Sequence, residues 1–77
     1  MKLVLFTMSL LAAESLALRC YCIYNHTKHN TITGYACPHQ VGIDRHGTFF
    51  CQWSRSEREW IQACEREESG ANGDCVQ

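Results

Sequence analysis

The cysteines constrain this chain more than any other feature. Cys20, Cys22, Cys37, Cys51, Cys64 and Cys75 are six thiols in 77 residues, and all of them follow residue 17. An even set at this density in a short chain reads as a framework of disulfides. Chains of roughly 60 residues bury only about 60% of the surface they expose when unfolded, so a core alone leaves them marginal. Three bridges at about 3 kcal/mol each match the whole stability of a small domain. Covalent staples, more than an apolar interior, are expected to hold this fold.

Oxidised thiols imply export, and the N-terminus has the form of a leader. Met1 and Lys2 give a positive start, Leu3 to Ala13 an apolar run, and Ser15-Leu16-Ala17 small residues at both recognition positions of a cleavage site. The run is shorter than the roughly 20 residues that cross a hydrocarbon core. Residues 1–17 are therefore read as a signal peptide cut after Ala17, and residues 18–77 as one disulfide-stapled domain. No later run is long enough for a membrane span or a lipid-anchor signal. The expected product is secreted and extracellular, does not insert into a membrane, and is a monomer.

Cys20 and Cys22 open this domain within the stretch LRCYC. In a strand, residues two apart share a face, so both sulfurs look inward side by side. A bond between them would close a very small ring, so each is expected to find a distant partner. The pairing taken first sends Cys20 and Cys22 to Cys37 and to Cys51 or Cys64, with Cys75 closing the tail, although six cysteines allow many others.

Leu18 to Tyr24 is rich in aromatic and β-branched residues and predicts a strand. Asn25 to Asn30 reads as a turn. Thr31 to Ala36 (TITGYA) predicts a second strand, with Gly34 marking a bulge and Pro38 ending it or placing it at an edge. Ile43 to Gly47 reads as a turn, and Thr48 to Trp53 as a third strand with Phe49, Cys51 and Trp53 on one side and Phe50 on the other. The segment SRSEREWIQACEREES then carries two overlapping capping boxes, Ser54 with Glu57 and Ser56 with Glu59. Trp60, Ile61 and Cys64 follow at helical spacing, which predicts a helix of about three turns ending near Ser69-Gly70. Gly70 to Gln77 reads as a loose tail pinned by Cys75. The fold class is a small disulfide-rich α+β domain of short antiparallel strands plus one C-terminal amphipathic helix.

These residues exclude several kinds of work. The net charge of −1 leaves no basic stripe for nucleic acid. His26, His29, His39 and His46 tempt a metal reading, but zinc sites need reduced thiolates at paired spacings. A cysteine nucleophile needs a free thiol, and an even, fully paired set spares none. No catalytic residues, metal or cofactor are expected, and the protein is not read as an enzyme. Asn25-His26-Thr27 matches the acceptor for N-glycosylation in an exposed turn, so Asn25 is a candidate glycoprotein site.

The aromatic residues point to binding. Trp53 and Trp60 are expected to join helix to sheet, whereas Tyr21 and Phe50 lie on the faces turned away from the core and are candidates for contact. Arg45 is the candidate primary-site residue if the segment Tyr35 to Cys51 is an inhibitory loop.

From Leu18 to Cys22 the chain resembles the three-finger superfamily, whose urokinase-receptor-like and toxin members open on similar Leu-x-Cys-Tyr strands. It is similar as well to type I bone morphogenetic protein receptor ectodomains, which begin on a Cys-Tyr-Cys strand and carry a short helix before their last cysteines. Short cysteine-rich exported proteins of nematodes share this opening. Three-finger domains usually carry eight to ten cysteines and a Cys-Cys pair, where this chain has six and none adjacent. The resemblance implies a three-finger-like module that binds proteins outside the cell. The function expected is a secreted, non-catalytic protein-binding module, with a toxin-like effector acting on a receptor or channel second and a protease inhibitor third.

Overall fold

A computed structural model of the protein describes residues 17–77, so the leader expected over residues 1–17 lies, apart from Ala17, outside the described residues. Strand β1 (Leu18–Tyr24) is the axis of the domain. It pairs antiparallel with β2 (Thr27–Lys28), with β4 (Phe49–Trp53) and with β5 (Asn72–Val76). The short β3 (Gly42–Ile43) adds to β4. Ile23 faces both Lys28 and Asn72, and Cys20 faces both Cys51 and Cys75. Consequently β2 and β4 lie end to end along one edge of β1, and β5 occupies the other.

The connection from β1 to β2 is the tightest possible hairpin. Asn25 and His26 both take positive φ, 53° and 67°, the combination that a two-residue type I′ turn demands. Thr27 Oγ1 closes it by donating to the Tyr24 carbonyl at 3.1 Å.

Among the described residues two helices, not one, cover the sheet. Residues Asn30–Ala36 form helix α1, where the sequence reading placed a strand. Their β-branched residues favour a strand locally, but the ends decide otherwise. His29 caps the helix, its Nδ1 accepting the Ile32 N–H at 3.4 Å. Asn30 ties the first turn to the β3–β4 loop by donating to the Gly47 carbonyl and accepting the Phe49 N–H. Ile32 and Thr33 are buried against the sheet, and Pro38 stops the helix just beyond Cys37.

Helix α2 (Glu57–Glu67) matches expectation, and of the two capping boxes the Ser56–Glu59 pair is the one used. Trp60 is fully buried and meets Trp53 edge to face at 5.1 Å, which docks the helix on β4. The C-terminal segment is not a loose tail. Asn72–Val76 is a full strand in register with Arg19–Ile23.

Three disulfides cross this framework: Cys20–Cys75 joins β1 to β5, Cys22–Cys64 joins β1 to α2, and Cys37–Cys51 joins the end of α1 to β4. Both opening cysteines reach distant partners, but the partners correct the first pairing. Cys37 and Cys51 bond each other, leaving Cys75 for Cys20. The register explains this, because Cys75 lies directly opposite Cys20 on the neighbouring strand. Cys20, Cys22, Cys51 and Cys64 have no exposed surface and, with Trp60, form the centre of the core. The result is a small disulfide-rich α+β domain, and no helix among the described residues is long and apolar enough to cross a membrane.

Candidate interaction face

Because strand side chains alternate, fixing Cys20 and Cys22 toward the helices turns Arg19, Tyr21 and Ile23 to the other side of the sheet. The same rule turns Phe50 and Gln52 of β4 outward with them, and the register adds Lys28, Asp74 and Val76. The bridge from Cys22 and the indole of Trp60 hold α2 against the inner face, so among the described residues this outer face carries no helix.

Its centre is a ladder of cations and rings. Lys28 Nζ stands 3.9 Å from the centroid of Tyr21, Tyr21 meets Phe50 tilted at 6.4 Å, and the Arg19 guanidinium lies 5.0 Å from the Phe50 centroid. Cation-over-ring contacts of this kind hold long basic side chains along the sheet surface with their charges outward. Phe50 rests on the backbone of β3 at Gly42, where an added Cβ would come within 2.3 Å of the ring. The glycine is what lets the ring lie down there.

The contact candidates therefore divide. Phe50 is half-buried and its edge belongs to this face. Tyr21 is only 5% exposed, which corrects its reading as a direct contact: it is the floor on which Lys28 and Phe50 sit. Arg19 and Lys28 escaped the sequence reading, although strand alternation alone puts Arg19 beside Tyr21. Among the described residues Tyr35 and Ile43, 72% and 63% exposed, are the most open large apolar side chains, and neither was singled out.

Arg45 lies elsewhere, exposed in the turn between β3 and β4. The Asp44 carbonyl accepts the Gly47 N–H at 3.0 Å, and Asp44 Oδ1 accepts the N–H groups of His46 and Thr48 at 2.8 and 3.0 Å. The Thr48 N–H, aided by His46 and the charge of Lys28, holds the Asp44 carboxyl below its usual range against a smaller opposing effect of burial. Asn25 sits at the exposed tip of the β1–β2 hairpin, and His26 beside it. His29 is the cap of α1, so the two histidines do not act together.

Among the described residues one set of potential metal ligands converges: Cys37, His39 and Cys51, with ligand atoms within 4.8 Å of one another. The two sulfurs are bonded to each other, and metal binding requires thiolates. In the oxidised protein this is a disulfide with an imidazole beside it. His39 Nε2–H donates to the Gln52 carbonyl at 2.9 Å and so fixes the segment after α1 onto β4.

No protein-family profile, no curated protein and no solved structure matches this chain.

Proposed function

We propose that the protein is an exported, non-catalytic binding module that presents the outer face of its sheet to an extracellular protein. The observation that carries this reading is the Lys28–Tyr21–Phe50–Arg19 ladder on a face that neither helix covers. Aromatic and arginine side chains are the types that dominate interface energetics, and here the backbone and three disulfides hold them in advance. Ordered contact groups lose less entropy on binding, which is what a stapled scaffold contributes. Disulfides throughout, and the opening that resembles three-finger proteins, fit an oxidising extracellular setting.

An effector acting on a receptor or channel would use the same face and differ only in its partner. The inhibitor reading gains nothing from the geometry. A protease pairs with an extended backbone, and Arg45 occupies a closed turn.

The test places a photo-crosslinking residue at Phe50 in one oxidised sample and at Glu65, on the exposed side of α2, in another. Both are offered to intact extracellular proteins. Capture of one defined protein from Phe50 alone, lost in Arg19→Ala and Gly42→Ala, supports the reading. Equal labelling from both positions, or insensitivity to Arg19 and Gly42, overturns it.

A further inference from the structure

A second surface lies between α2 and the segment that follows α1, and meets the outer face at Gln52 of β4. Along α2 the residues Glu59, Gln62, Ala63 and Arg66 recur at three- and four-residue spacing, so they form one stripe down the helix. Facing them is the segment Ala36–His39, anchored by the Cys37–Cys51 bond and the His39–Gln52 hydrogen bond. Between the two runs a half-open groove of about 450 Å³. That volume falls within the roughly 300–1,000 Å³ of ligand sites. Ala36, Pro38, Ala63 and Trp53 supply the apolar part of its lining.

The charges in this groove are not balanced. Among the described residues Glu59 is the only acid lining it, and both its oxygens are engaged: Arg55 Nε lies 3.5 Å from one, and Ser56 Oγ donates to the other at 3.2 Å. Arg66 has no ion-pair partner among the described residues. From Glu59 to Arg66 the stripe is about 10 Å long at 1.5 Å per helical residue, which matches about three residues of extended chain. Apolar lining residues beside a guanidinium with no ion-pair partner complement a carboxylate next to an apolar side chain.

We propose that this groove binds a short acidic–apolar peptide segment, with Arg66 receiving its carboxylate and Ala36, Ala63 and Trp53 its apolar side chain. The inference rests on the binding-module reading and gives it a second contact of stated chemistry. A purely structural Arg66, serving only to complement the C-terminal end of the α2 dipole, would leave the groove indifferent to peptide charge.

The experiment titrates ¹⁵N-labelled oxidised protein with the acetylated and amidated tripeptide Glu-Leu-Glu, and separately with Lys-Leu-Lys. The expected result is shifts at the side-chain amide of Gln62 and at the Trp53 indole with the acidic peptide only. Affinity should fall about tenfold or more in Arg66→Glu and less in Arg66→Lys, which keeps the charge but not the bidentate fork. Thermal unfolding of each variant shows whether the helix itself has been lost, and Gln62→Arg, which adds a cation without removing a helix contact, should tighten binding. Shifts shared by both peptides, shifts at Arg19 and Lys28 instead, or no change in Arg66→Glu and Gln62→Arg overturn the groove. None of these outcomes touches crosslinking from Phe50, so the two claims fail separately.

Discussion

The hydroxyl of Thr33 accepts the backbone N–H of Cys22 at 2.9 Å, deep in the core and eleven residues away. This bond fills a gap in the sheet. On that edge of β1 the pairing with β4 ends at Cys20 and the pairing with β2 begins only at Ile23. Cys22 would be left with both backbone groups unpaired. Helix α1 and its cap supply both partners, since the His29 N–H donates to the Cys22 carbonyl at 2.9 Å. Thr33→Val, nearly identical in shape, strands a buried N–H and should cost about 1–3 kcal/mol. Thr33→Ser keeps the oxygen and should cost less. Urea unfolding of the oxidised proteins checks both, and equal stability of the valine and serine variants contradicts the role.

Gly73 lies directly under Trp60. An added Cβ would stand 2.7 Å from the indole Cδ1 and 3.2 Å from Ile61. Trp60 cannot yield, because it is fully buried and its Nε1–H donates to the Tyr21 carbonyl at 2.9 Å. Gly73→Ala is expected to destabilise by about 1–3 kcal/mol, as overpacked cores do, and to shift tryptophan fluorescence. An unchanged midpoint would mean that α2 floats free of β5.

Strand β5 is a sheet edge, and its outward N–H groups are occupied. Glu57 Oε2 accepts the Cys75 N–H at 3.0 Å, and Asn72 Oδ1 accepts the Gly73 N–H at 2.8 Å. Unpaired edges invite pairing with another chain. The double variant Glu57→Ala, Asn72→Ala should therefore self-associate with rising concentration in sedimentation equilibrium, while the parent chain stays monomeric. A monomeric double variant would show that these side chains do not guard the edge.

The Asp44 carboxylate is stabilised in the folded turn, so its pKa lies below the unfolded value. A group lowered in this way contributes stability above the ordinary carboxylate range and loses it as pH falls through the lowered value. Protection of the His46 and Thr48 amide protons, taken relative to their intrinsic exchange rates, should fall in acid over that window. Asp44→Asn should remove the dependence. A protection profile indifferent to pH in the parent protein contradicts the assignment.

Strand β1 and helix α2 were legible in the sequence because local signals and tertiary demands agree there: alternation in LRCYCIY, and a capping box followed by Trp60 and Cys64. Helix α1 was not. TITGYA has strand composition, and its helix depends on Asn30 binding the β3–β4 loop and on Thr33 satisfying Cys22, partners eleven to nineteen residues away. β5 was hidden for the opposite reason. NGDCV has almost no strand propensity, and its extended form is imposed by pairing with β1 and by the bond to Cys20. The outer face was half legible, since alternation selects Phe50 and Arg19, but the burial of Tyr21 depends on Lys28 folding back over it. The groove beside α2 draws its walls from three segments, and no local pattern announces it.

Peptide mapping of the non-reduced protein by mass spectrometry tests the central claim most directly. The account predicts three linked pairs, Cys20 with Cys75, Cys22 with Cys64 and Cys37 with Cys51, and no thiol that alkylates before reduction. Any exchanged pair, or a full set of reactive thiols in the folded protein, would contradict it and remove the scaffold on which both proposed surfaces are built.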